Sequence, residues 1–260
     1  MSKPYTSISK DPRDHAVIPD PQIAPDTPIS HLPAAGRFIA EYRPEVIVIL
    51  ADWYDMPSLS SYDMGKKKAE GRRYRQDIDA GNRGMDVFMN EVLRPAGYNP
   101  EIHFTTGNHE QRIMRHIEAN PHLAGQIGYH DFNLDDYGIV QHDFLEIANI
   151  DGVRYSHYFA NQFSGKPIGG SVDNKMNKLG FSFTMGHVQK LEFCRRDSHD
   201  GTVLQGLVAG AFYQHDEDYK GPQGNHHWRG ICYKNQVQDG QYDLEVWSLD
   251  KLMESFGGVV

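Results

Sequence analysis

A chain of 260 residues, 39% hydrophobic and 23% charged, has the make-up of a globular protein with enough length for one large α/β domain or at most two small ones. Its formal net charge of −9 argues against a surface built for broad nucleic-acid binding, so any such contact should be local. Only Cys194 and Cys232 are present, without zinc-ribbon or redox spacing, and no apolar stretch reaches transmembrane length. A cytoplasmic chain with two free thiols and no membrane partner is therefore expected, one disulfide being the alternative.

The opening residues 1–14 lack a hydrophobic signal core and read as a polar arm, with a single domain expected over 15–260. "AVIPD" (16–20) is a short β-branched run that ends in an acid. Residues 30–42 alternate at helical spacing, with Ser30 as the expected N-cap. "EVIVIL" (45–50) is continuously apolar, as in a strand buried on both faces, and runs into "ADWYD". A polar, basic stretch from Ser58 to Arg83 precedes "MDVFMNEVL" (85–93), which is apolar at helical period. "IHFTT" (102–106) is a third buried strand; the tetrad Gly107-Asn108-His109-Glu110 follows it, then a helical segment from Gln111 to Ala119.

After Asp131 the pattern changes to strands. Residues 144–159 read as a hairpin turning at Asp151-Gly152, residues 180–194 and 202–213 as two further strands, and residues 230–249 as a hairpin turning at Asp239-Gly240. Helices early and antiparallel strands late predict two sheets flanked by helices.

Polar residues gather where these strands end: Asp20 and Gln22, Asp52 and Asp55, Asn108 and His109, His157, and His187 with Gln189. Each alone has an ordinary explanation. Asp20 would suit a turn, Asp52 and Asn108 a helix N-cap, and a buried histidine can simply be hydrogen-bonded. Capping does not explain acid, amide and imidazole groups at five successive strand ends. Open α/β sheets hold their sites there, and a two-metal site needs a bridging carboxylate with imidazole and amide ligands around it.

The order Asp-x-Gln, Ala-Asp-x-x-Asp, Gly-Asn-His-Glu, His, Gly-His-x-Gln resembles the five blocks of the calcineurin-like metallophosphoesterase family, over about Ala16 to Gly210. The wording "DMPSLSSYD" and "HDEDY…HWRG" further resembles members encoded by tailed bacteriophages, which would make the location a host cytoplasm. The resemblance implies an α/β/β/α sandwich of two mixed sheets flanked by helices. It implies a phosphoesterase that hydrolyses phosphate esters, diesters of nucleotide or nucleic-acid type above all, by attack of a metal-activated hydroxide. Asp52 would bridge two divalent ions; Asn108, His157 and His187 would complete one, and Asp20, Gln22 and Gln189 would hold the other. His109 would be the general acid, Asp55 its orienter, and Glu110 structural support. Gly107 would give the backbone room to turn.

Three departures from the family pattern matter. Ala51 stands in place of glycine, which is tolerable unless its φ is positive. Gln22 and Gln189 both stand where the family has histidine, on the same ion. Amide oxygens are harder and weaker donors, so that ion should bind weakly, with Mn²⁺ the expected metal and Mg²⁺, Fe²⁺ and Zn²⁺ alternatives. The rival reading is a non-catalytic metal- or nucleotide-binding protein with a degenerate second site. The run Lys66-Lys67-Lys68 with Arg72, Arg73 and Arg75 is either a solvated face balanced by Glu70, Asp77 and Asp79 or a phosphate-steering rim. The segment 214–230 is either a surface loop or a substrate wall offering His215 and Arg229. The substrate is thus expected to be a small phosphate ester or a nucleic acid, and the oligomeric state leaves no mark in the sequence.

Overall fold

A computed structural model describes residues 5–216 and 221–258. The strands are β1 (Thr6–Ser7), β2 (Arg13–Pro19), β3 (Val46–Leu50), β4 (Glu101–Thr105), β5 (Val140–His142), β6 (Ala148–Ile150), β7 (Val153–Tyr155), β8 (Phe183–Met185), β9 (Leu191–Asp197), β10 (Val203–Ala209), β11 (Gly230–Gln238) and β12 (Gln241–Ser248). The helices are α1 (His31–Tyr42), α2 (Tyr74–Val92), α3 (Gln111–Ala119), α4 (Val172–Leu179), the single turn α5 (Gly221–Gly224) and α6 (Leu249–Phe256). The strands form two mixed sheets in the orders β12-β11-β2-β3-β4-β5 and β1-β6-β7-β8-β10-β9.

The expected buried strand at 45–50 shows how the layers form. Side chains alternate along β3, so Val46, Val48 and Leu50 face the second sheet. There they pack with Ala148, Ile150, Val153, Tyr155 and Leu207. Ile47 and Ile49 point the other way, into a core with Leu32, Phe38, Ile78, Phe88 and Leu252 from α1, α2 and α6. On the outer face of the second sheet, Phe183, Met185 and Val208 pack under Val172 and Met176 of α4. Two sheets thus share one apolar interface and carry helices outside, as the order of elements led one to expect.

Both expected hairpin turns form where Asp-Gly pairs allow two successive left-handed residues: Asp151 (φ 48°) with Gly152 (φ 84°), and Asp239 (φ 50°) with Gly240 (φ 81°). The two turns touch, Gly240 N–H donating to Asp151 O at 2.8 Å. Among the described residues no helix is long and apolar enough to cross a membrane, and both cysteines are free.

Several boundaries differ from expectation. The single strand expected over 180–194 is two, β8 parallel to β10 and β9 antiparallel to it, with residues 186–190 passing between them. The late strands are accordingly mixed rather than purely antiparallel. Helix α2 starts at Tyr74, well before the apolar run, because Ile78, Ala80 and Gly81 already face the core while Arg75 pairs with Asp79 at 2.9 Å on the exposed side. Within the arm expected at 1–14, β1 pairs with β6, and Arg13 binds Glu101 and Asp151 at 2.5 and 2.7 Å. Ser30 precedes α1 but makes no cap; its hydroxyl donates to Gln214 Oε1 at 2.9 Å.

Candidate metal centre

Five loops leave the carboxyl ends of β2, β3, β4, β7 and β8, and their backbones interlock. Gln22 N–H donates to Asp52 O at 2.8 Å, His109 N–H to Asp52 Oδ1 at 3.0 Å, and His187 N–H to Asp20 Oδ2 at 2.9 Å. Seven of the non-glycine residues with positive φ lie in these loops: Asp20 (40°), Gln22 (48°), Ala51 (64°), Asp52 (47°), Met56 (50°), His187 (66°) and Gln189 (57°). Left-handed backbone costs an L-residue about 1–2 kcal/mol, and such strain gathers at functional sites. Ala51 therefore sits in the one conformation where its methyl group is not harmless. Gly107 is needed for a different reason from the one expected. Its φ is not left-handed, but a Cβ there would meet Asp52 Oδ1 at 2.0 Å.

The side chains converge on His157. Its Nε2 lies 2.7 Å from Asn108 Oδ1, 3.1 Å from His187 Nδ1 and 3.5 Å from Asp52 Oδ2, and its Nδ1 lies 3.9 Å from Asp20 Oδ1. Burial lowers the pKa of His157 to about 4 and also lowers that of His187, so both imidazoles are neutral. Lone-pair-bearing atoms from four residues then crowd one point, and the few available protons cannot separate all of them. A cation can. With bonds of about 2.0–2.1 Å, neighbouring donors around an ion stand roughly 3.0–3.4 Å apart, close to the spacing found here. Among the described residues no group of three or more His, Cys, Asp or Glu is placed to hold a metal ion, and the close contacts of His157 Nε2 come from one amide, one imidazole and one carboxylate. Gln22 adds a buried Oε1 that meets no hydrogen-bond donor among the described residues. The atoms around His157 offer a mixed nitrogen and oxygen set of the chemistry a divalent ion takes, and Asp20 and Gln22 carry further buried side-chain oxygens.

Beside this cluster His109 Nδ1 lies 2.6 Å from Asp55 Oδ1, and its Nε2 lies 3.8 Å from Asp52 Oδ2. Burial disfavours a charged His109, but Asp52 and Asp55 outweigh it and hold its pKa above the usual imidazole value. Burial likewise opposes the charge on Asp52, yet His109, His157 and the His109 N–H leave its pKa below the usual carboxylate value. Asp55 is lowered in the same way, chiefly by His109 against burial. Asn108 does not cap α3, whose N-cap is Glu110. The Glu110 carboxylate is fully buried and accepts from Gly107 N–H (2.8 Å), Tyr54 N–H (2.9 Å) and Asp52 N–H (3.2 Å), tying the second and third loops together. Burial and the nearby Asp52 raise its pKa to about 8.

The remaining candidates stand one layer out. Tyr213 donates to Gln189 Oε1 at 3.2 Å, and its ring is stacked on His215 at 4.6 Å. The Arg229 guanidinium lies 5.1 Å from the same ring and pairs with Asp216 at 2.6 Å. His215 and Arg229 thus both contact Tyr213, the residue that donates to Gln189; residues 217–220 of that segment lie outside the described residues. In the basic run, Lys68 and Arg72 pair with Asp63 at 2.6 and 2.8 Å, whereas Asp77, expected to balance the run, accepts from Ser58 N–H.

Two arginines escaped the sequence reading. Arg112 donates to Asp55 O at 2.6 Å, and Arg115 to Asn108 O at 2.7 Å. Their i, i+3 spacing just after the tetrad, on one face of the expected helix, was the signal available.

The fold and the site together define a class: a two-sheet α/β sandwich with carboxylates, imidazoles and amides gathered at strand ends around a paired His109 and Asp55. Compared with known proteins, the chain matches no family model, and no curated protein matches it significantly.

Proposed function

We propose that the chain is a metal-dependent phosphoesterase of the calcineurin-like metallophosphoesterase kind, acting on phosphate esters and preferentially on diesters. The observation that carries this reading is the crowding of Asn108 Oδ1, His187 Nδ1 and Asp52 Oδ2 within 3.5 Å of His157 Nε2, with the His109–Asp55 pair alongside. The two-sheet architecture supports it. Divalent ions bound there, Mn²⁺ foremost, would supply an acidified water and neutralise phosphoryl charge.

The chain's own residues would do the rest. Asp52 Oδ2 faces His157 at 3.5 Å and His109 at 3.8 Å, and on this reading it would be the carboxylate shared by the ions. Against burial, Asp52 and Asp55 raise the His109 pKa and so favour the protonated ring, whose Nε2–H would be given to a leaving oxygen as ester cleavage proceeds. Asp55 fixes the ring and offsets its charge, and Arg112 anchors the Asp55 backbone. A pure binder has no use for this pair. On this reading the protein works in the cytoplasm, the host's if it is phage-borne.

The test is a metal-by-substrate screen: dialysed protein with Mn²⁺, Mg²⁺ or Zn²⁺ against p-nitrophenyl phosphate, bis(p-nitrophenyl) phosphate, and single- and double-stranded DNA. Diester hydrolysis, highest with Mn²⁺, is expected. Stoichiometric metal binding without turnover in any arm would make the chain a non-catalytic binder instead.

A further inference from the structure

Arg115 is an exposed residue of α3, one turn beyond Arg112. Its Nη2 donates to the carbonyl of Asn108, the residue whose side chain meets His157. Arg112 is committed to the backbone of Asp55 and Met56, whereas Arg115 has no carboxylate within ion-pair distance among the described residues. Tyr158 packs against the same cluster. Its ring lies 4.9 Å from the His187 ring and 5.6 Å from the His157 ring, and its hydroxyl has no hydrogen-bond partner among the described residues. Burial raises the pKa of the hydroxyl, which the Arg115 guanidinium lowers and the Asp52 carboxylate raises, so it stays a neutral donor.

We propose that Arg115 and Tyr158 form an oxyanion subsite that receives a non-bridging phosphoryl oxygen of the substrate; this rests on the phosphoesterase reading. A guanidinium has five N–H donors in a fixed fork. One bond to Asn108 O leaves the others for an anion, in the geometry that suits phosphate. The Asn108 bond serves as the anchor that aims the fork at the cluster. The Tyr158 hydroxyl, on a ring beside His157 and His187, supplies a second, neutral donor.

The simplest rival is that Arg115 only steadies Asn108. The two roles separate when metal content and phosphate binding are measured together. Wild type, Arg115→Ala, Arg115→Lys and Tyr158→Phe would each be loaded with Mn²⁺, assayed for bound metal, and titrated calorimetrically with orthophosphate. Arg115→Ala should keep wild-type metal content and bind phosphate roughly 10- to 100-fold more weakly, as expected for losing a charged hydrogen bond. Arg115→Lys should recover only part, because one ammonium cannot serve both the carbonyl and the anion. Tyr158→Phe should lose a few-fold, about what one neutral hydrogen bond contributes. Loss of manganese in parallel with phosphate in Arg115→Ala would reduce Arg115 to a structural prop and overturn the subsite. Unchanged phosphate affinity would overturn it while leaving the phosphoesterase reading intact. A wild type that takes up neither manganese nor phosphate would sink that reading, and the subsite with it.

Discussion

Replacing Glu110 by glutamine changes one atom type at the best-connected point of the site. The carboxylate accepts three backbone N–H groups, two on Oε2 and one on Oε1, and is fully buried. A carboxylate only accepts, whereas an amide offers one oxygen and one NH₂. In the best placement the new oxygen keeps Gly107 and Asp52 and turns its NH₂ toward the Tyr54 N–H. That leaves two buried donors facing each other, at about 1–3 kcal/mol each. Relief from burying a carboxylate beside Asp52, the effect that raises the Glu110 pKa to about 8, offsets part of this loss. A net destabilisation of about 2 kcal/mol remains, which for a chain of this size lowers Tm by roughly 4–8 °C. Thermal unfolding followed by circular dichroism in EDTA at pH 9, where Glu110 is ionised, measures it without contributions from bound metal. A Tm within a degree of wild type would show that Glu110 does not hold the two loops together.

His109→Ala should retain metal and lose roughly 10²–10⁴-fold in turnover, with Asp55→Asn a milder version of the same defect; loss of bound metal in His109→Ala would make His109 a ligand instead. Changing Gln22 and Gln189 together to histidine should raise retained Mn²⁺ or Zn²⁺ after exhaustive dialysis from about one ion to about two per chain, because imidazole is the stronger donor; a parent that already retains two would refute the weak site. Burial leads in lowering the pKa of His15, His31 and His142 to about 4. The unfolded chain therefore takes up protons below about pH 6.5 that the folded one refuses until about pH 4, and stability falls across that window. Glu110, its pKa raised to about 8, adds stability as pH falls and offsets the histidines above pH 6. Below pH 6 the three histidines outweigh it, so the urea midpoint should be lower at pH 5 than at pH 6, and a constant midpoint would contradict it.

What the sequence revealed was local or strongly patterned. The apolar run of β3, the Asp-Gly turns and the order of ligand-type residues each follow from short-range rules, and the structure brings Asn108, His157, His187 and Asp52 together. The division between β8 and β9 was hidden because His187 and Gln189 adopt left-handed backbone without being glycine. The short strands β1 and β5 have too few residues to show a period, and charged residues masked the first turns of α2. Glu110 reads as an ordinary acid at a helix start. Its grip on Asp52 and Tyr54 depends on a contact across more than fifty residues of chain, which no local pattern encodes.

The most direct test of the account is hydrolysis of bis(p-nitrophenyl) phosphate by dialysed wild type and Asp52→Asn, side by side, with Mn²⁺ and with EDTA. Among the described residues the Asp52 Oδ2 atom is the carboxylate oxygen within 4 Å of the Nε2 atoms of both His157 and His109. Wild type should turn over only with Mn²⁺, and Asp52→Asn should be inactive and hold little metal. Turnover in EDTA, or an Asp52→Asn variant as active as wild type, would contradict a metal-dependent phosphoesterase built on this cluster.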